Sequence, residues 1–275
     1  MSGIPKRIIQ TGKQLRQPLR NRAAMRSLAL LNPDYEYIFF DNAGVERFID
    51  ENFPQYRQIF AGFPFRIQRY DFFRYLAIYK LGGFYFDLDV LLAEDLAGLL
   101  GHDCVFPFEG LTFSRFLRSR YGMDWQIGNY AFGATAGHAF LKAAIENCVK
   151  AQQDPSWVAP MMRGFPPLFR DEFLILNTTG PGLISRTLAE NPELAKSVTV
   201  LFPTGNVCEL ENWNLFGDLG VHLLDGSWRS RGNFVHRRLA QAWELWKMRR
   251  LMKESLELGT ARRHLHPQGA SIMGR

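Results

Sequence analysis

The sequence predicts an α/β domain. Short β-branched or aromatic runs alternate with helical stretches along most of the chain, and the boundaries between them fall at Asn-Pro and Gly-Gly steps that suit helix exits. One aromatic run, "GGFYFDLDV" (82–90), ends in two aspartates one residue apart. In chain order, "IPKRIIQ" (4–10) is the first strand, followed by a helix over about 18–31 that stops at Asn32-Pro33. "YEYIFF" (35–40) is a second strand ending at Asp41-Asn42. Helical patterns over 43–52 and 67–80 come next, the latter halted by Gly82-Gly83, because glycine tolerates the left-handed conformation. After the aromatic strand, further strands are expected near 103–107, 129–134, 198–202 and 221–224. Helices are expected over 138–150 and after Pro181. No internal repeat or low-complexity linker interrupts this order, and the composition shifts once, near Gly232.

With 275 residues and 47% apolar content, the chain can bury a large core, as one elaborate domain or a domain with an appendage. No run approaches the roughly 20 apolar residues needed to span a bilayer. Met1 leads into "IPKRIIQ" without an apolar signal core, so a cytoplasmic location is expected. Cys104, Cys148 and Cys208 are odd in number and lack metal-ligand spacing, which predicts reduced buried thiols.

The formal charge of +6 is concentrated at one end. Between Asn233 and Arg263, eight Lys and Arg face Glu244, Glu254 and Glu257, a local excess of about five, interleaved with Leu239, Trp243, Trp246, Leu251 and Leu256. This pattern reads as a basic amphipathic helix fit for an anionic membrane surface, or as a terminal helix packed on the domain with its basic face solvated. Near-balance elsewhere argues against nucleic acid as a partner.

The two aspartates carry the chemistry. If residues 87–89 stay extended, Asp87 and Asp89 point to the same side and can converge on one cation. Hard oxygen ligands favour magnesium, manganese or calcium, with positions left for phosphate oxygens. An isolated Asp-X-Asp often only caps a loop, but an apolar strand must deliver these charges to a site that compensates them. Upstream, Asp71 and Arg74 lie three apart and share a helical face, the carboxylate able to accept from sugar hydroxyls and the guanidinium to donate to phosphate or hold that aspartate. Taken alone they would read as a surface ion pair of under about 1 kcal/mol.

"RYDFFRYLAIYKLGGFYFDLDVLL" resembles the sugar-binding segment of Asp-X-Asp glycosyltransferases, especially glycosyltransferase family 32, which includes initiating mannosyltransferases and is related to the glucosylating clostridial toxins. "IPKRIIQTGK", "NPDYEYIFFDN", "IGNYAFGATAGHAFLKAAIE", "NTTGPGLISRTL" and "VHLLDGSW" are similar to other segments of that family, in order. The resemblance implies a GT-A type nucleotide-diphospho-sugar transferase fold with a largely parallel sheet over 1–232, followed by a basic helical extension over 233–275. It implies a metal-dependent, retaining hexosyltransferase that uses Mn2+ or Mg2+ and a nucleotide diphosphate sugar, a UDP-hexose before GDP-mannose. The implied acceptor is a glycan or glycolipid, of lipopolysaccharide or capsule type in a bacterium, worked on from the inner face of the cell membrane. A protein acceptor, as in the toxins, is the other possibility that the resemblance raises.

On the same resemblance, Asp89 is the principal metal ligand, Asp87 a second ligand or ribose contact, and His222 a third ligand, otherwise a core histidine or phosphate donor. Donor-binding residues are Gln10, Thr11, Asp71, Arg74, Asn129, Thr179, Gly180, Ser227 and Trp228, the last two on a loop closing over the diphosphate. Asn129 as a turn amide after Gly128, "TTGPG" as a helix-start turn and Trp228 as packing are the plainer readings. Ile9 and Gly12 stand where the family commonly has histidine and tryptophan near the nucleotide base. "FDLDVLL" also resembles the motif of haloacid-dehalogenase-type phosphatases, but that family usually opens with its motif. A non-catalytic sugar-nucleotide-binding module is the third reading, which two intact carboxylates disfavour.

Overall fold

The computed structural model describes residues 3–14, 16–207, 209–224, 242, 245–250, 253 and 271–273. Ser227, Trp228, Cys208 and most of the expected basic extension therefore lie outside the described residues.

Ten strands and ten helices follow in chain order among the described residues. They are β1 (Arg7–Thr11), α1 (Leu19–Leu31), β2 (Glu36–Phe40), α2 (Asn42–Asn52), α3 (Arg57–Gly62), α4 (Arg66–Leu81), β3 (Gly83–Phe86) and β4 (Val90–Leu92). Next come β5 (Cys104–Leu111), α5 (Arg115–Tyr121), β6 (Trp125–Ile127), β7 (Ala131–Ala134), α6 (Ala139–Gln153), α7 (Pro155–Met162) and α8 (Arg170–Thr178). The chain finishes with α9 (Pro181–Glu190), α10 (Pro192–Ala195), β8 (Thr199–Leu201), β9 (Gly220–His222) and β10 (Ser271–Met273).

The central sheet runs β10-β8-β5-β7-β3-β1-β2, with β6 paired to β5 off this path. It is largely parallel: β1 pairs in parallel with β2 and β3, and β8 with β5 and β10, while β7 runs against both β3 and β5. A separate two-stranded ribbon joins β4 to β9 in antiparallel register, Val90 opposite His222.

The elements nearest the aspartates show why this sequence folds as it does. Asp41 caps α2, its carboxylate accepting from the Gly44 amide at 2.7 Å. Gln68 steadies the start of α4 by accepting from the Phe65 amide at 3.1 Å. The helix then buries Phe72, Phe73, Tyr75, Leu76, Ala77 and Ile78, together with Asp71 and Arg74. It ends at Gly82 and Gly83, with φ of 64° and 106°. A side chain at Gly83 would meet the Arg7 carbonyl oxygen at 2.7 Å, so the Gly-Gly step turns α4 into β3 hard against β1. Phe106 and Phe132 stack at 4.9 Å across β5 and β7 in the main core.

The strand through the aspartates is shorter than expected. β3 ends at Phe86, and Asp87-Leu88-Asp89 makes a turn closed by the Val90 amide donating to the Asp87 carbonyl at 3.2 Å. The two carboxylates are brought together by that turn and not by strand alternation. Strand β6 and helices α3, α5, α7, α8 and α10 lie outside the expected elements, being short and weakly periodic, and β10 pairs with β8 inside the stretch expected to be a helical extension. Cys104 and Cys148 are buried free thiols, as expected. No helix among the described residues is long and apolar enough to cross a membrane. In the carboxyl-terminal region, residues 245–250 are helical; Met248 packs on the main core, while Leu245 and Trp246 are exposed.

Candidate active site

β3 delivers Asp87 to the carboxyl end of the sheet, the edge at which open α/β sheets bind ligands. Asp87 meets two buried donors: Arg74 Nη2 lies 3.2 Å from its Oδ1 and Nη1 3.3 Å from Oδ2, while Tyr85 Oη donates to Oδ1 at 2.9 Å. Arg74 also holds Asp71 at 3.0 Å and donates to the Asn129 carbonyl at 2.7 Å, and its guanidinium lies 4.7 Å from the Tyr85 ring centre. The pair expected as a surface ion pair or substrate contact is instead 3% and 6% exposed at its side chains, so it is a wall of the protein.

Asp71 is completed by its neighbours. Asn129 Nδ2 donates to Oδ1 at 3.2 Å and Thr179 Oγ1 to Oδ2 at 2.8 Å, while Tyr75 Oη accepts from Asn129 at 3.0 Å and donates to the Thr179 carbonyl at 2.7 Å. Burial raises the Asp71 and Asp87 carboxyl pKa values above the ordinary carboxylate value, against the pull of Arg74 on both. Burial works against the charge on Arg74, but Asp87, Tyr85 and Asp71 together outweigh it and raise its pKa. The guanidinium therefore stays charged.

Several residues expected to touch a donor are spent internally. Gln10 is wholly buried; its amide donates to the Phe86 and Asp87 carbonyls at 3.3 and 3.2 Å and accepts from Tyr37 Oη. Thr11 shares a hydrogen bond with Tyr85 Oη at 3.2 Å. Thr179 has no exposed surface, and Gly180 makes its close approach to the Leu176 backbone, where a Cβ would sit 3.0 Å from Cα. These residues brace the turn from behind. Ile9 is in the main core, and a side chain at Gly12 would meet Gln17, Leu88 and Phe39 at 2.9 to 3.0 Å, so neither position has room for a stacking ring in this conformation.

The opposite wall is more open. Asp87, Asp89 and His222 can each offer a ligand atom within 4.8 Å of the others, with 26%, 13% and 16% of their side chains exposed. The β4–β9 ribbon brings His222 here, 3.3 Å from Asp89 through Nε2, and the Leu223 amide donates to the Asp89 carbonyl at 2.8 Å. Tyr130 stacks on the imidazole, ring centres 4.4 Å apart and planes 21° apart, and donates to the Leu215 carbonyl at 2.9 Å. Among the described residues, His222 Nδ1 is buried with no hydrogen-bond partner, while Nε2 is the nitrogen that faces the carboxylates. Two carboxylates and an imidazole are a donor set suited to manganese or magnesium, so the residues fit the group. Tyr75, Tyr85 and Tyr130 escaped sequence reasoning, because a tyrosine in an aromatic strand or helix reads as packing.

Residues 18–106 match the family described as "Glycosyltransferase sugar-binding region containing DXD motif". The chain is 32% identical over 146 residues to inositol phosphoceramide mannosyltransferase 3 of Schizosaccharomyces pombe, covering 53% of this chain and 37% of that protein. It is 28% identical over 182 residues to the mannosyl phosphorylinositol ceramide synthase SUR1 of Saccharomyces cerevisiae, covering 66% and 41%. It thus spans less than half the length of these relatives. Among solved structures, the PaToxG glycosyltransferase aligns with TM-score 0.47 and 16% identity over 70% of this chain and 72% of that one. The UDP-bound glycosyltransferase domain of the YGT toxin aligns with TM-score 0.49 and 8% identity over 73% and 80%. The Asp-X-Asp turn at residues 87–89 thus lies inside the stretch that is similar to the sugar-binding region of DXD-containing glycosyltransferases.

Proposed function

We propose that the chain transfers a hexosyl group from a nucleotide diphosphate sugar to a hydroxyl of a glycan or glycolipid, with Mn2+ or Mg2+ held by Asp87, Asp89 and His222. The observation that carries this reading is the convergence of those three groups, each with a ligand atom within 4.8 Å of the others and His222 facing Asp89 through Nε2. When bound, a divalent cation neutralises the charge that grows on a departing diphosphate. Asp87 is aimed by Arg74 and Tyr85, so its carboxylate is oriented before any ligand arrives. Both terminal nitrogens of Arg74 are engaged by Asp71, Asp87 and the Asn129 carbonyl on the buried side, so it serves as a fixed positive wall and not as a mobile phosphate clamp. Retention by attack from the leaving-group face, which the family resemblance implies, requires no protein nucleophile. Both Asp87 oxygens are engaged by Arg74 and Tyr85, which disfavours a phosphatase built on Asp87. The names of the relatives support testing GDP-mannose, the second of the expected donors, beside the UDP-hexoses, and add an inositol phosphoceramide to the acceptors worth testing. Lipopolysaccharide or capsule is the counterpart in a bacterial source.

A thermal-shift and turnover screen against UDP- and GDP-sugars, with and without Mn2+, tests the reading alongside Asp89→Ala. One sugar nucleotide should stabilise the protein only when both metal and Asp89 are present, and Asp89→Ala should abolish transfer with folding nearly intact. Wild-type turnover by that variant would remove the basis of the assignment.

A further inference from the structure

Charge outside the carboxyl-terminal stretch sums close to zero, yet it is not evenly spread. Residues 3–33 contain Lys6, Arg7, Lys13, Arg16, Arg20, Arg22 and Arg26 and no aspartate or glutamate. Lys6 pairs with Asp34 and Arg7 with Glu36 at the sheet edge. The other five are exposed on α1 and the segment entering it.

Helix α1 has two unlike faces. Ala24 and Leu28 are buried, and α1 packs against β4, with Ser27 Oγ accepting from the Leu92 amide at 3.1 Å. The outer side carries Leu19, Arg22, Ala23, Arg26 and Leu30, at spacings of three and four that put them in one stripe, and all five are exposed. Leu19 and Leu30 are 73% and 62% exposed. A single exposed leucine needs no explanation, but two leucines bracketing two arginines on the outer face of one helix make an amphipathic pattern whose apolar part is exposed among the described residues.

We propose that this stripe is a docking face for an anionic lipid surface, the arginines meeting headgroup phosphates and the leucines entering the acyl boundary. Charge complementarity selects the partner, and the aliphatic residues separate it from a nucleic-acid face, which would interleave its cations with aromatic rings for base stacking. The location gives the docking a use. α1 lies on β4, which begins one residue after Asp89 and pairs with the strand bearing His222, and Arg20 Nη2 donates to the Leu223 carbonyl at 2.8 Å. A bilayer held at α1 thus lies beside the Asp87–Asp89–His222 cluster, where the headgroup of a glycolipid would present its hydroxyls. The docking itself does not depend on the proposed transfer, because it is measured without donor or acceptor.

The test is flotation of the full chain with phosphatidylcholine vesicles, with and without phosphatidylserine. The expected result is binding that requires phosphatidylserine and falls at least about tenfold in Arg22→Glu/Arg26→Glu. Leu19→Ser/Leu30→Ser should lower it by a similar factor, with the unfolding midpoint and the Mn2+-dependent thermal shift of both variants unchanged. Three results would overturn the proposal. One is no binding by the wild type; another is full binding by both variants, which would assign any lipid affinity to the basic carboxyl-terminal region. The third is loss on charge reversal alone with equal retention on heparin, which would make the stripe a general polyanion site.

Discussion

Asp71 and Asp89 stand on opposite sides of Asp87, and the chain treats them in opposite ways. Asp71 sits in a wall with 6% of its side chain exposed, its oxygens taken by Arg74, Asn129 and Thr179, which come from three separate parts of the chain. Asp89 lies in the turn that leads into the β4–β9 ribbon, partly open and set against an imidazole whose second nitrogen has no partner among the described residues. The first carboxylate is enclosed by the wall; the second is set beside Asp87 and His222, where the three can each offer a ligand atom to one cation. Asp87 belongs to both sides, aimed by the dry wall and presented to the open one, which is how a fold fixes the position of a group that must still bind.

The strongest way to break this contrast is to remove the cation of the dry wall. Arg74→Met leaves Asp71 and Asp87 without their shared counter-charge, and urea unfolding should show a loss of about 3–5 kcal/mol. A near-neutral result would mean that the wall is not structural. On the open side the effect should move from stability to binding. His222→Ala should weaken Mn2+ affinity in calorimetric titration by at least about tenfold, and Tyr130→Leu, which removes the ring stacked on that imidazole, by about tenfold. Unfolding of His222→Ala without metal should be nearly unchanged. Equal metal affinity in wild type and His222→Ala would exclude the imidazole as a ligand. Tyr85→Phe deletes one bond to Asp87 and should cost about 1 kcal/mol in unfolding.

Proton linkage gives the smallest and most graded signal. Asp71 and Asp87 have pKa values raised by burial, so the native state keeps protons that the unfolded chain releases. Their contribution to stability is full below the ordinary carboxylate value and is lost as pH rises through the raised values. With chelator present, the unfolding midpoint should therefore carry a declining component as pH increases, which Asp71→Asn should flatten. The Mn2+-induced shift should run the other way and grow with pH, since Asp87 must be ionised to bind. A shift independent of pH would argue that Asp87 does not contact the ion.

Much of this was legible in the sequence because periodicity and punctuation are local. The Gly82-Gly83 exit, the Asn32-Pro33 stop, β1, β2 and helices α1, α2 and α4 fall within about three residues of their expected bounds. The direction of β7 and the β4–β9 pairing depend on tertiary packing, which no local window contains. At the site, the pattern drew attention to Asp71, Arg74, Asp87, Asp89, Asn129 and His222, all of which the fold gathers. It did not reveal that Gln10, Thr11 and Thr179 face inward, because a polar side chain that braces a carboxylate and one that touches a ligand look alike in sequence. The basic stripe on α1 was hidden by averaging charge over a long segment in which acidic residues elsewhere cancel it.

The β4–β9 ribbon also bears on the order in which the molecule matures. Val90 and His222 pair across roughly 130 residues of intervening chain, a loop that closes late because long-range contacts follow the local ones that make them affordable in entropy. A nascent chain that has already formed β1, β2, α4 and β3 owns both aspartates but not the imidazole. Cation capture by all three groups therefore becomes available only once residue 222 has arrived, and a truncated or stalled product carries the motif without the complete centre.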